Sequence, residues 1–269
     1  MAKQRLDTLL TERGLFTSRT RAAASVMAGE VLVGAGRRRA SKPGEMVDAD
    51  DELVVQGGPR FASRGGEKLA NALMQSGVQV RDRNAIDVGA STGGFTDCLL
   101  QAGANHVIAV DVGYGLLDYR LRSDERVSVL ERFNARELNL GALEGLPAPD
   151  LAVVDVSFIS LTKVLGPLLA CLPPVFDVLA MVKPQFEVGR EGVGKGGVVR
   201  SPELRRGALV GVGEAALLSG CAVVGYYSSG LPGPKGNRET FIHLVEGSRP
   251  GGTRAPNELE ALARTVEDE

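Results

Sequence analysis

Apolar positions recur along this chain with two different periods, and the change from one to the other divides it. From Arg5 to Arg13, Leu6, Leu9 and Leu10 return at helical spacing, and Gly14 supplies a C-terminal stop. Ser18 opens a second helix reaching Ala28, which Gly29 ends. Val31 to Val33 and Leu53 to Val55 predict short strands, with a turn from Gly34 to Arg39. Two helices on a small curved sheet make a small α+β domain over residues 1–58. Gly57-Gly58-Pro59 then breaks the chain, and residues 59–66 read as a linker.

Beyond the linker the pattern alternates. A helix is expected over Gly66 to Ser76, and the apolar strand Ala85 to Val88 runs straight into Gly89-Ala90-Ser91-Thr92-Gly93-Gly94. A helix from Thr96 to Ala102 and a strand from His106 to Val110, ending at Asp111, complete a β-α-β unit. Further strands are expected near Val127 to Leu130, Leu151 to Val154, Val178 to Val182, Cys221 to Tyr227 and Thr240 to Val245. Strands separated by helices predict an α/β domain over residues 67–246, Rossmann-like, with a mostly parallel, doubly wound sheet. Ligands of such sheets sit at the carboxyl ends of the strands, and Asp87, Asp111, Asp155 and Lys183 all fall there. Residues 247–269 read as a flexible tail, with Gly247 to Gly252 as linker. Asn257 and Glu260 would cap a short helix bearing Leu259, Leu262 and Val266, which either docks or frays.

Bulk properties narrow the function classes. A net charge of -2 excludes a protein that coats nucleic acid indiscriminately, so contact with a polyanion has to come from local patches. The first 60 residues carry ten Lys or Arg against eight Asp or Glu, with Arg37, Arg38 and Arg39 consecutive. Cys98, Cys171 and Cys221 are odd in number and flanked by apolar residues, so they read as buried thiols in a reducing compartment. With only two histidines, no metal site is expected. Met1 to Asp7 lacks the apolar stretch of an export signal, and Pro173 and Pro174 interrupt the weakly charged span Val164 to Val182, which argues against a membrane helix. A cytoplasmic monomer is the expectation.

Candidate chemistry gathers around the glycine-rich turn, which lets backbone approach a ligand while the following helix offers free amides. Asp87 stands just before the turn, suited to an amino-acid moiety, and Asp111 is placed to accept from a ribose diol. S-adenosylmethionine, a nucleoside carrying an amino acid, fits both. The alternatives are a turn that needs glycine for packing alone and a dinucleotide oxidoreductase, although the turn departs from G-x-G-x-x-G. Lys68, Asp155, Lys183 and Glu239 then suit removal of a proton from an alcohol of high pKa. Lys183, at the end of a buried apolar strand where desolvation disfavours an ammonium, is the candidate base. Asp155 would orient Lys183, Lys68 would stabilise the forming alkoxide, and Glu239 would fix Lys68 or position a ribose. Each of the four alone also reads as a surface charge, a helix cap or a strand-end residue.

Two resemblances sharpen this. R-L-D-x-L-L-x-x-R-G-L-x-x-S-R-x-x-A, followed by G-E-V-x-V and K-P-G, resembles the RNA-binding domain of small-subunit ribosomal protein S-four. That likeness implies an RNA-contacting set of Arg5, Arg13, Ser18, Arg19, Arg37, Arg38 and Lys42, with Arg64 beyond the linker. S-R-G-G-E-K-L at 63–69, D-V-G-A-S-T-G-G-F-T-D at 87–97, A-V-D-V-G-Y-G at 109–115, D-V-S-F-I-S-L at 155–161, V-K-P-Q-F-E at 182–187 and G-P-K-G-N-R-E at 233–239 are similar to the TlyA family of bacterial ribosomal RNA methyltransferases, often labelled haemolysins. The resemblance implies a class I methyltransferase fold and methylation of cytidine 2′-hydroxyls in 16S and 23S ribosomal RNA, with sensitivity to capreomycin-type antibiotics. It implies ribosomal RNA or subunits as partners, Lys68, Asp155, Lys183 and Glu239 as the catalytic set, and S-adenosylmethionine held by Gly89, Ala90, Ser91, Thr92, Gly93, Asp111 and Phe158, to which the reading of the turn itself adds Asp87. One departure is the linker, Arg60-Phe61-Ala62, where many relatives carry an aromatic followed by valine. A membrane-lysing haemolysin would need a spanning segment, and a non-catalytic RNA-binding or assembly factor would show damage to the set of four.

Overall fold

The computed structural model describes residues 3–16, 18–56 and 60–267. The Gly57 to Pro59 break and the first two residues lie outside that range. The chain forms two compact units, residues 1–60 and 61–269.

In the first unit, β1 (Lys3–Arg5) leads into α1 (Leu6–Glu12), then α2 (Arg19–Met27), β2 (Val31–Val33), β3 (Arg38–Arg39), β4 (Met46–Asp48) and β5 (Leu53–Val55). Leu6, Leu9 and Leu10 of α1 are buried against Ala22 and Val26 of α2 and Val31 and Val33 of β2, as their spacing requires. Ser18 caps α2, its hydroxyl accepting from the Arg21 amide. The single sheet expected from sequence is two: β3-β2-β5, and a separate antiparallel pair of β1 with β4. Lys3-Gln4-Arg5 carries no apolar period, so its strand character arises from pairing with Met46–Asp48 and left no local signal.

In the second unit, α3 (Arg64–Ser76) precedes β6 (Asn84–Val88), α4 (Gly94–Gln101), β7 (His106–Asp111), α5 (Tyr119–Arg122), β8 (Val127–Glu131), β9 (Leu151–Val154), α6 (Leu165–Leu169), β10 (Asp177–Val182), α7 (Pro184–Glu187), α8 (Pro202–Leu218), β11 (Cys221–Ser228), β12 (Thr240–Glu246) and α9 (Pro256–Glu267). The seven-stranded sheet runs β11-β12-β10-β9-β6-β7-β8. The pairs from β10 to β8 are parallel, and β12 is antiparallel to both its neighbours. Strand order reverses between β6 and β9, so the crevice of a doubly wound sheet opens at their carboxyl ends. Because β12 is reversed, its first residue, Thr240, pairs with the last of β10, Val182, which brings the segment before β12 to the same edge.

Alternation along the strands feeds two cores. Ile86, Val88, Ala152, Val154, Ala180 and Val182 face α6, α8 and α9, whereas Ala85, Val153, Leu179, Met181 and Phe241 face α3 and α4. Phe61 belongs to the second core, 2% exposed, so this linker residue is anchored in the second unit. The three cysteines are buried thiols.

The C-terminal segment differs from a flexible tail, and its helix takes the docked alternative. Arg249 bonds Asp177 at 2.8 Å and the Phe176 carbonyl at 2.8 Å, and Thr253 pairs with Val223. Leu259 and Ala263 of α9 are fully buried on the main core. Residues 249–267 are a docked part of this unit: a capping pattern with an apolar stripe shows that a helix forms, and only the unfilled face of α8 and β11 shows that it packs.

A candidate methyl-transfer site at the switch point

Gly89, directly after β6, takes φ +92°, and a Cβ there would stand 2.4 Å from the Asp155 carbonyl oxygen. Only glycine lets the turn pass this close to the end of β9. The turn places Ser91 against Asp111. One Asp111 oxygen accepts from the Ser91 amide and the other from the Gly113 amide, each at 2.7 Å, which fixes the carboxylate and leaves lone pairs free.

Three cavities meet along this edge. The largest, about 830 Å³, is lined by Gly89, Ser91, Asp111, Asn134 and Phe158, among others. A second, about 270 Å³, is lined by Arg64, Lys68, Ala90, Thr92, Asp155, Lys183 and Glu239. A third, about 350 Å³, shares Lys183 and Glu239 with the second and Phe158 with the first. Asp155 and Gly89 border both the first and the second, so anything in the large cleft lies beside the charged cluster.

That cluster brings the four catalytic candidates together as two ion pairs. Lys68 Nζ donates to Glu239, with both side chains at least nine-tenths buried. Lys183 Nζ lies 2.5 Å from Asp155 Oδ1 and donates to Ser157 Oγ at 2.8 Å. Buried charges persist only when paired and hydrogen-bonded, and here each lysine has its own carboxylate. Gly233 makes the first pair possible, since a Cβ there would meet Glu239 Oε1 at 2.4 Å. The lysines and carboxylates come from α3, the end of β9, the end of β10 and the segment before β12, a convergence that the reversed strand produces.

The cofactor candidates divide. Gly89, Ser91, Asp111 and Phe158 line the large cleft, while Ala90 and Thr92 face the charged cavity. Gly93 lines none of the three; its φ is +94° and it packs beside Leu117 and Leu121. Asp87, expected to meet an amino-acid moiety, also lines none. It is fully buried, with Oδ2 accepting from Thr96 Oγ1 at 2.7 Å and Oδ1 without a hydrogen-bond partner among the described residues. Its position one strand residue earlier turns it into the core beneath α4. Sequence reading missed Val112, Leu116, Phe133 and Asn134, which line the cleft, and Ser157, which accepts from Lys183. The topology held a signal for Phe133 and Asn134, which follow the end of β8 as Asp111 ends β7.

Burial pushes the Asp87 pKa from the ordinary 3.8 up to about 7, with Thr96 pulling it down and the Asp155 charge adding to the rise. An acid whose folded pKa is raised stabilises the fold below its unfolded pKa and loses that stability as pH rises through the folded value. Relative to wild type, Asp87→Asn should therefore gain on the order of a few kcal/mol between about pH 4 and 7. Thermal melts at pH 5 and pH 8 check this, and a difference between variant and wild type that does not change with pH would contradict it.

The proposed RNA-contacting residues behave differently from one another. Arg5 and Arg19 pair with Asp7 at 2.7 and 3.3 Å and hold its carboxyl down at about 2. Arg38 likewise holds Glu45 at about 2, while Arg13 donates to the carbonyls of Asp51 and Ala49, and Ser18 is a helix cap. Arg37 and Lys42 are exposed, with no ion pair among the described residues. Arg64, in the second unit, lines the charged cavity.

The sheet with its single reversed strand, the glycine turn and the acid closing the second strand define a Rossmann-like methyltransferase. A family model described as FtsJ-like methyltransferase matches residues 61–246. YqxC of Bacillus subtilis (strain 168), named for rRNA methylation, is 45% identical over 99% of this chain and 94% of its own. The Mycobacterium tuberculosis (strain CDC 1551 / Oshkosh) 16S/23S rRNA (cytidine-2'-O)-methyltransferase TlyA is 46% identical, over 90% of each chain. A solved chain from Streptococcus thermophilus that carries the hemolysin name superposes with a TM-score of 0.74 at 40% identity, covering 100% of this chain and 97% of that one. The chain belongs to the FtsJ-like methyltransferase family and, within it, to the TlyA group. No helix among the described residues is long and apolar enough to cross a membrane.

Proposed function

We propose that this protein transfers a methyl group from S-adenosylmethionine to a cytidine 2′-hydroxyl of ribosomal RNA in the cytoplasm. The observation that carries the reading is the meeting of the Lys183–Asp155 and Lys68–Glu239 pairs in a cavity that shares Gly89, Ser91 and Asp155 with the large cleft. That cleft fits the cofactor: Asp111, locked by two amides, offers lone pairs to a ribose diol, and Val112, Leu116 and Phe133 supply apolar walls.

When bound, S-adenosylmethionine supplies an electrophilic methyl. Once its ammonium has shed a proton, Lys183 Nζ takes the proton of the 2′-hydroxyl, and Asp155 and Ser157 hold the ammonium restored in this way. The Lys68–Glu239 pair places a cation beside the developing alkoxide and excludes water from it. Asp111 and the apolar walls of the cleft would hold the methyl donor beside that oxygen, and alignment would supply much of the rate. RNA is held by exposed cations of the first unit, Arg37 and Lys42 foremost, because RNA helices are read by shape and backbone more than by sequence.

Labelled methyl transfer to purified 30S subunits, 50S subunits and naked ribosomal RNA tests this, with an Arg37→Ala/Lys42→Ala variant alongside. Label on RNA, reduced in the variant most at low salt and with a shallower salt dependence than wild type, is expected. Cofactor binding without label on any substrate would sink the enzymatic reading, and an unaffected variant would sink the assignment of Arg37 and Lys42.

A further inference from the structure

The loop after β9 and the segment after β10 are fastened to each other at two points. At the first, Lys183 meets Asp155 and Ser157. At the second, Glu187 Oε1 accepts from the Leu161 amide at 2.9 Å, and Oε2 accepts from Ser160 Oγ at 2.6 Å. Between them the Phe158 and Phe186 rings lie 5.3 Å apart. Leu161 is 1% exposed, so its amide must find a partner inside the protein, and Glu187 is that partner. Phe158 takes φ +65°, a left-handed conformation that a bulky residue keeps only when its surroundings impose it. The five residues from Lys183 to Glu187 thus grip the seven from Asp155 to Leu161.

We infer that Glu187 is a positioning residue: by holding Ser160 and Leu161 it fixes the Asp155–Leu161 loop in the register that sets Asp155 and Ser157 on Lys183. The inference rests on the methyl-transfer reading of this site. Glu187 lines none of the three cavities, so it acts on the reaction through the loop and touches no substrate. Burial pushes its pKa up, while the bonds from Ser160 and Leu161 pull it down, consistent with a carboxyl kept inside for its acceptors.

An amide can replace the carboxylate here: the glutamine oxygen accepts from Leu161, and its nitrogen donates to Ser160 Oγ, which turns its own hydrogen to Thr162 Oγ1, 2.7 Å away. Glu187→Ala can do neither. Single-turnover methyl transfer to ribosomal RNA should therefore fall about 10- to 100-fold in Glu187→Ala and stay within about threefold of wild type in Glu187→Gln. Glu187→Ala/Asp155→Ala should be no slower than Asp155→Ala alone, because both act through one contact. If Glu187→Ala does not fold, Ser160→Ala replaces it in the same comparison, with a smaller drop of about threefold or more and the same non-additivity. A rate in the alanine variant within twofold of wild type, or losses that multiply in the double variant, would overturn the inference. An inactive wild type would instead remove the methyl-transfer reading beneath it.

Discussion

Lys183→Ala is expected to slow methyl transfer about 100- to 10 000-fold, the range that a positioned general base contributes. Its Nζ is held by Asp155 at 2.5 Å and Ser157 at 2.8 Å, and no other lysine in the charged cavity shares those partners, since Lys68 is committed to Glu239. Because Lys183 does not line the large cleft, calorimetric affinity for S-adenosylmethionine should change only a few-fold. Lys183→Arg separates two roles: it keeps the cation and the pairing to Asp155 but cannot give up its proton, so it should be as slow as the alanine variant. An arginine variant that retained most of the wild-type rate would reduce Lys183 to an electrostatic role.

Gly89→Ala should fail in a different way, losing stability and catalysis together. The added Cβ would stand 2.4 Å from the Asp155 carbonyl oxygen and 2.9 Å from its carbon, at a φ of +92° that L side chains rarely adopt. Neither neighbour is a flexible side chain, so the turn and the end of β9 have to separate, at about 3 kcal/mol from strain and overpacking. For a unit of this size that corresponds to about 6 to 12 °C in melting temperature. Separation also pulls Asp155 from Lys183 and disturbs the Ser91 amide on Asp111, so transfer and cofactor affinity should both drop at least tenfold at temperatures where the variant is folded. Melting curves and binding isotherms on one preparation check both, and an unshifted melt would contradict the close approach.

Why the site was so legible in the sequence follows from the topology. Asp111, Asp155 and Lys183 each close a strand, and in a doubly wound sheet strand ends converge, so their proximity could be read without coordinates. Glu239 was harder to place, because it reaches the cluster only through the reversal of β12, which no local pattern reports. Asp87 is placed differently from Asp111: being inside the strand and not after it, its side chain alternates into the core. Likewise Lys3–Arg5 and Met46–Asp48 owe their strand character to pairing across the chain, and α9 owes its burial to a vacant face elsewhere. The arginines of the first unit show the limit of counting charges. Arg5, Arg19 and Arg38 spend theirs on Asp7 and Glu45, which leaves Arg37 and Lys42 as the better candidates for phosphate.

The measurement that bears most directly on the central claim is nucleoside analysis of ribosomal RNA labelled by the wild-type protein with methyl-labelled S-adenosylmethionine. The account predicts that the label is recovered as 2′-O-methylcytidine and is lost with Lys183→Ala. Label on a base, or label that persists in the Lys183 variant, would contradict it.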